Sequence, residues 1–177
     1  MQTIDNSILG LEGRKKLFGR NDLEIGRAAR GLAKFLTQRR RHRESTVYYL
    51  QSYEARRHCF GADDPTTLAE LEALGRAYFY SDQFADAEVC FERVYRSQTR
   101  WADDSSTKIN RTVGWLGAIY QASGKLEQAQ EVYEERIEAG INDTELLKTL
   151  LGNLSVILRA RNDPEGEHAT LTKALAL

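Results

Sequence analysis

The chain has 177 residues, of which 41% are hydrophobic and 29% are charged, and its formal net charge at neutral pH is −1. These values are typical of one globular domain, and they exclude a wholly disordered or collagen-like chain. No apolar run approaches the roughly 18 residues of a membrane-spanning helix, and the first residues lack the features of a secretory signal. Two cysteines, Cys59 and Cys90, are too few for a disulfide framework. We therefore expect a soluble cytoplasmic protein with free thiols and no membrane partner.

Charge is distributed unevenly along the chain. Residues 1–60 contain 13 basic and 6 acidic side chains, whereas residues 61–177 contain 12 basic and 20 acidic ones. Such an asymmetry in charge bears on partner binding, self-association or solvation, and it does not determine the fold. It does not mark the whole chain as a nucleic-acid binder, because the basic excess is confined to the first third.

The sequence repeats with a period of about 42 residues. The pattern Leu-Gly-x-x-Tyr occurs at 74–78 and at 116–120, and an alanine and then an aromatic residue follow each copy at the same distances. More divergent copies contain Leu32 and Leu154. Residues 1–10 precede the repeats, and we predict them to be loosely ordered, as chain ends often are. Residues 11–177 are predicted to form a single array, with units at about 23–60, 65–101, 107–140 and 144–177.

Each unit is predicted to be a pair of helices. The motif leucine and tyrosine share one helical face, so Tyr78 and Tyr120 are predicted core residues. Asp64 followed by Pro65 predicts a helix start, and turn residues at 81–82, 123–125 and 161–164 predict the break between the two helices. One pair cannot bury its apolar stripe alone, whereas stacked pairs can, which predicts an α-solenoid.

The Leu-Gly-x-x-Tyr pattern followed by Ala-x-x-x-Phe/Tyr resembles the tetratricopeptide repeat (TPR). The 42-residue period, with Phe-Gly-Ala-Asp-Asp-Pro-Thr-Thr-Leu at 60–68, resembles its kinesin light chain subclass. The resemblance implies an all-α, right-handed solenoid of about four hairpins that binds proteins. This chain has Asp64 where the subclass has histidine, and it keeps the subclass asparagine before the motif leucine only as Asn153. The resemblance therefore carries the fold, and not the cargo specificity of kinesin light chains.

Residues that could carry catalytic chemistry are sparse. Gly124-Lys125 lacks both the earlier glycine and the following Ser or Thr of a phosphate-binding loop, and it lies in a predicted turn. His42, His58 and His168 are scattered and do not form a zinc-binding pattern. We predict no enzymatic activity, no metal site and no cofactor.

The positions opposite the motif leucines are predicted to line a concave groove, which the resemblance implies is the peptide-binding side of the first helices. Over the four units these positions hold six cations and one anion, Glu72. Arginine with aromatic side chains is typical of binding hot spots, so we predict that the groove binds an acidic protein or peptide. The predicted binding residues are Arg27, Arg30, Lys34, Arg76, Phe79, Tyr80, Arg111, Trp115, Asn153 and Arg159. Alternatively, the aromatic residues of this set pack between repeats, and Arg27 and Arg30 pair with nearby acids.

Two further features leave alternatives open. The run Arg39–Arg43 predicts either a solvated turn or contact with phosphate groups of nucleic acid or an anionic surface. Nucleic acid is disfavoured, because such binders spread basic charge along one face and add stacking aromatic residues, whereas this run is short. The apolar end of the chain, with Leu175 and Leu177, predicts either a homo-oligomer formed through the last helix or a segment of a larger multidomain signalling protein.

Overall fold

The computed structural model describes residues 23–101, 107–141 and 143–177, and these ranges contain eight α-helices and no strand. The helices are α1 (Leu23–Gln38), α2 (His42–Phe60), α3 (Pro65–Phe79), α4 (Phe84–Trp101), α5 (Thr107–Ala122), α6 (Leu126–Glu138), α7 (Thr144–Ala160) and α8 (Pro164–Leu175). Residues 1–10, predicted to be loosely ordered, lie outside the described ranges. The chain divides into two compact units, Met1–Cys90 (unit 1) and Phe91–Leu177 (unit 2), and the division lies within α4.

The first helix of each hairpin ends in the same backbone motif. In each case one residue adopts a left-handed conformation, with φ between 58° and 75°, at Arg40, Asp82, Gly124 and Asn162. The N–H of the residue that follows donates to the carbonyl five positions earlier, over 2.8 to 3.0 Å. Together these features define a Schellman motif, which satisfies carbonyl groups at a helix end. The four motifs are separated by 42, 42 and 38 residues, so the backbone repeats with the period of the sequence.

The core of unit 1 follows the apolar spacing of α1. Ile25, Ala29, Leu32 and Leu36 recur at one-turn intervals, and each is at most 4% exposed. This face packs against α2, where Tyr48 lies against it. The amphipathic pattern of α1 therefore determines which side of the helix is left for solvent.

The predicted start of α3 is confirmed by its N-cap. Asp64 Oδ1 accepts hydrogen bonds from the backbone N–H groups of Thr66 and Thr67, at 2.8 and 3.2 Å. Pro65 occupies the first turn, where its missing N–H costs no helical hydrogen bond. A hydrogen bond from the Thr66 hydroxyl lowers the pKa of Asp64, so the cap is a charged acceptor at neutral pH.

Unit 2 is built around the apolar face of α5. Val113, Leu116 and Ile119 are each at most 2% exposed. Gly117 faces the ring of Tyr133 on α6, and a β-carbon at position 117 would overlap that ring. The motif glycine therefore allows the two helices of the hairpin to approach closely.

The two motif tyrosines differ in burial, although the pattern predicts both in the core. Tyr120 is buried, with 8% of its surface exposed, as predicted. Tyr78 is only half-buried, and partial burial raises the pKa of its phenol. The shared motif therefore sets the direction of the side chain, while the neighbouring helices decide how much of it is covered.

Candidate partner-binding surface

On α1, the structure places two predicted binding residues, Arg27 and Lys34, in solvent. Arg27 forms an ion pair with Glu24 at 2.8 Å, and both side chains are more than half exposed. Such exposed pairs contribute little to stability, so the guanidinium can exchange partners at small cost. Lys34 forms no ion pair with any residue in the described ranges. Both cations are therefore accessible to an acidic ligand.

Arg30 instead belongs to a buried ion cluster that joins three helices. Arg30 on α1 and Arg56 on α2 lie 2.6 and 2.9 Å from the carboxylate of Glu70 on α3, whose side chain is fully buried. Arg30 is among the partner-binding residues predicted from the sequence, and Glu70 is not. The signal was present, because Glu70 lies four residues before Leu74 and so shares its core face.

At the end of α3, the predicted residues Arg76, Phe79 and Tyr80 lie close to one another in sequence and differ in surroundings. Arg76 lies 3.8 Å from Glu72, which is itself 7% exposed. Phe79 is half-buried and makes edge contacts with Phe84 and Tyr80, at centroid separations of 5.7 and 5.6 Å. Tyr80 is 53% exposed. Arg76 and Tyr80 therefore face solvent, and Phe79 supports the ring of Tyr80.

In unit 2, Arg111 and Trp115 lie on α5, one turn apart. Arg111 is exposed, whereas Trp115 is half-buried. The Trp115 indole stacks on Phe91 of α4, with ring centroids 5.6 Å apart and planes inclined by 16°. Much of this indole is therefore used in packing between helices, in agreement with the alternative left open by the sequence.

The two predicted residues on α7 both make contacts with neighbouring helices. Asn153 is half-buried and forms a hydrogen bond with Tyr133 of α6. Burial raises the pKa of Tyr133 to about 12, and this hydrogen bond acts in the opposite direction. Arg159 is exposed, and its Nε lies 2.8 Å from the carboxylate of Glu167 on α8. Asn153 therefore joins adjacent hairpins, while Arg159 remains accessible.

Unit 2 also contains an acidic cavity that the sequence analysis does not predict. Its volume is about 440 Å³, and its walls include Glu92 of α4 and Glu131 and Glu135 of α6, above Leu116 and Tyr120. The Tyr120 hydroxyl lies 3.3 Å from Glu92, to which it donates a hydrogen bond. The carboxylates come from two second helices, so a helical-wheel argument made on the first helices could not find them.

The two cysteines lie in opposite environments, Cys59 exposed and Cys90 buried. Burial, with a smaller effect of Asp86, raises the pKa of the Cys90 thiol to about 12. At pH 8 we therefore expect Cys59 to react rapidly with a thiol reagent and Cys90 to react only on unfolding. Thiol titration with and without denaturant measures this, with Cys59→Ser as the control. Two rapidly reacting thiols in the folded protein would contradict the packing around Cys90.

Over the ranges that the structure describes, no group of three or more His, Cys, Asp or Glu side chains is arranged to hold a metal ion. Within the same ranges, the length and apolar character needed to cross a membrane are not found together in any helix.

Comparison with known proteins agrees with this architecture. The structure is similar to crystal structures of kinesin light chain-type TPR-like repeats from Podosopora anserina and of a point variant of the same repeats, with TM-scores of 0.84 and 0.82 and identities of 16% and 17%. Both alignments cover 99% of this chain, and 85% and 84% of the other chains. It is also similar to BtubC (BKLC) from P. vanneervenii, with a TM-score of 0.75, 16% identity, and coverage of 92% of this chain and 69% of that one. The fold class predicted from the sequence, an all-α repeat solenoid resembling kinesin light chain repeats, is confirmed.

No curated protein sequence matches the chain. The family model for the tetratricopeptide repeat matches residues 12–100, which is half of the sequence. The chain therefore belongs to the tetratricopeptide repeat family.

Proposed function

We propose that this chain is a protein-interaction module in which the exposed faces of the first helices, α1 and α3 in unit 1 and α5 and α7 in unit 2, each contact acidic side chains of a partner protein. A tetratricopeptide repeat fold is typically a non-catalytic scaffold for protein binding. Charge favours acidic partners. The observation that carries this preference is the charge at the positions opposite the motif leucines, where five cations lie outside the buried cluster and the one anion, Glu72, is buried.

The cations differ in how readily they can meet a ligand carboxylate. Lys34 has no ion pair within the described ranges, and the partner of Arg27 is the exposed Glu24. Arg159 instead pairs with Glu167, whose side chain is 18% exposed. Exchanging an exposed acid for a carboxylate of the ligand changes little in solvation, so Lys34 and Arg27 favour binding without a large desolvation cost. Charge complementarity of this kind acts mainly on the association rate and on partner choice.

Aromatic side chains supply the apolar part of the proposed surface. Tyr80 is exposed at the end of α3, and Phe79 holds its ring from one side. In unit 2 the half-buried Trp115 presents less surface, because it stacks on Phe91. We therefore expect Tyr80 to contribute more contact area to a bound peptide than Trp115 does.

Selection from a display library of random 16-residue peptides tests this function. We expect the selected peptides to be rich in Asp and Glu and to lose binding to an Arg76→Glu variant. Arg96→Glu is the matched control, because Arg96 forms a similar one-turn pair with Glu92 at 3.5 Å but lies on a second helix. Enrichment of neutral or basic peptides would overturn the acidic specificity, and equal losses in both variants would overturn the placement on first helices.

A second candidate function is self-association through α8. No residue of α8 is buried, and Leu175 is 88% exposed, with Leu171 and Leu177 also exposed. An apolar stripe of this kind is unusual on a monomer surface and suits a helix–helix contact. Light scattering coupled to size-exclusion chromatography should show an oligomer that Leu175→Glu dissociates. A wild-type chain that stays monomeric at high concentration would exclude this candidate.

A further inference from the structure

We propose that the turn between α1 and α2, together with Tyr80, forms a binding site for single-stranded nucleic acid. The site, which we call the arginine–tyrosine turn, consists of Arg39, Arg40, His42, Arg43 and Tyr80. It lies entirely in unit 1. Four of its residues come from the basic run in the sequence, and the fifth is brought to the run by the fold.

The first observation is an aromatic pair inside the basic run. The rings of His42 and Tyr80 have centroids 5.1 Å apart and are inclined by 31°. Tyr80, which is 38 residues away in sequence, remains 53% exposed. From the sequence alone nucleic acid is disfavoured, because the run is short and such sites add stacking aromatic residues. The structure supplies this aromatic group, since an exposed ring packed on His42 of the run gives a base a surface on which to stack.

The second observation is that the charge of the run is largely uncompensated. Arg41 is held by Glu44, with its Nε 2.5 Å from one carboxylate oxygen. Arg39, Arg40 and Arg43 are exposed, and none of them forms an ion pair with a residue in the described ranges. A guanidinium group is planar and can donate two hydrogen bonds to a phosphate, so these three side chains suit a phosphodiester backbone.

The third observation is backbone strain at Arg40. The four Schellman motifs place equivalent residues in the left-handed conformation, and three of them, Asp82, Gly124 and Asn162, are of the types that tolerate it. Arg40 has a φ of 58° and lacks this tolerance. The Schellman motif imposes the left-handed conformation at position 40 and does not require arginine there. Strained residues cluster at ligand-binding sites, so a basic side chain at this position supports a ligand contact.

Nucleic acid fits these observations better than an acidic peptide does. A single strand alternates phosphates with bases, and so it meets both the arginines and the tyrosine ring. A peptide carboxylate would meet the arginines, but it has no flat aromatic face to stack on the tyrosine ring. Both proposals use Tyr80, but this one does not rest on the acidic-segment proposal, because its arginines lie off the first-helix faces, Arg40 in the turn and Arg43 on α2.

The experiment measures fluorescence anisotropy of labelled 12-residue oligouridylate and oligothymidylate with the full chain, from low to moderate salt. We expect Arg40→Asn/Arg43→Gln to weaken binding by about tenfold and to reduce the salt slope by about 1.4, as for two lost phosphate contacts. The thermal midpoint of Arg40→Asn should be unchanged or higher, because asparagine tolerates the left-handed conformation. Tyr80→Ala should also weaken binding by about tenfold, and Tyr80→Phe should restore it, since phenylalanine keeps the stacking surface.

The matched control is Lys108→Gln/Lys173→Gln, which removes the same charge from exposed positions of unit 2. Equal weakening by the control and by the Arg40/Arg43 variant would overturn the site, because binding would then follow net charge alone. Absence of binding to both oligonucleotides at low salt would overturn it as well. Vesicles containing phosphatidylserine and an oligoglutamate peptide serve as competing ligands. If the Arg40/Arg43 change weakens binding of the vesicles or of oligoglutamate and leaves oligonucleotide binding unchanged, the nucleic-acid proposal is wrong.

Discussion

Replacing Glu70 by alanine is expected to lower the free energy of unfolding by about 3–5 kcal/mol. The fully buried carboxylate is shared by Arg30 and Arg56, whose side chains are 35% and 18% exposed. Its removal leaves two guanidinium groups close together and partly desolvated, without a counter-charge. Such a change is large compared with the total stability of a small domain. Urea denaturation followed by circular dichroism measures it.

Two further variants show whether the effect comes from the buried charge. Glu54→Ala, which removes an exposed acid from α2, should change stability by no more than about 0.5 kcal/mol. A triple change of Arg30 and Arg56 to Met and of Glu70 to Leu should recover most of the loss, because apolar replacements of a buried ion cluster are often neutral or stabilising. A Glu70→Ala variant as stable as Glu54→Ala would contradict the description of this cluster.

Replacing Tyr120 by alanine is expected to cost about 3–5 kcal/mol, the usual range for a large buried aromatic side chain. Tyr78→Ala should cost clearly less, because Tyr78 is half-buried although it occupies the same motif position. Tyr120→Phe keeps the ring and removes the hydrogen bond to Glu92, so it should cost only about 1 kcal/mol. Equal losses for Tyr78→Ala and Tyr120→Ala in chemical denaturation would show that the motif position, and not the observed burial, decides the contribution.

The repeat could be predicted from sequence because its determinants are local. The turn residues Asp82, Gly124 and Asn162 tolerate the left-handed conformation that a Schellman motif requires, and Asp64 precedes the N–H groups that it caps. These preferences act within one turn of helix. They can therefore be recognised from the sequence, and they predict where the helices end.

The candidate site was less predictable, because its details depend on packing between helices. The helical-wheel positions opposite each motif leucine include the exposed cations Lys34 and Arg111. These positions can be predicted because they depend on the geometry of a single helix. A helical wheel cannot show that Arg30 reaches Glu70, or that Trp115 stacks on Phe91. Such pairings are set only when neighbouring helices come together.

The central claim is that acidic partners bind to first-helix cations, and isothermal titration with one selected acidic peptide tests it most directly. The comparison uses wild type, Arg76→Glu, Arg76→Gln and the matched Arg96→Glu, each shown to be folded by circular dichroism. Arg76→Glu should weaken binding by about 30-fold, which corresponds to about 2 kcal/mol, and Arg76→Gln by less. Arg96→Glu should leave binding unchanged, and wild-type affinity should fall as salt rises. Unchanged affinity in Arg76→Glu, or affinity independent of salt, would contradict the claim.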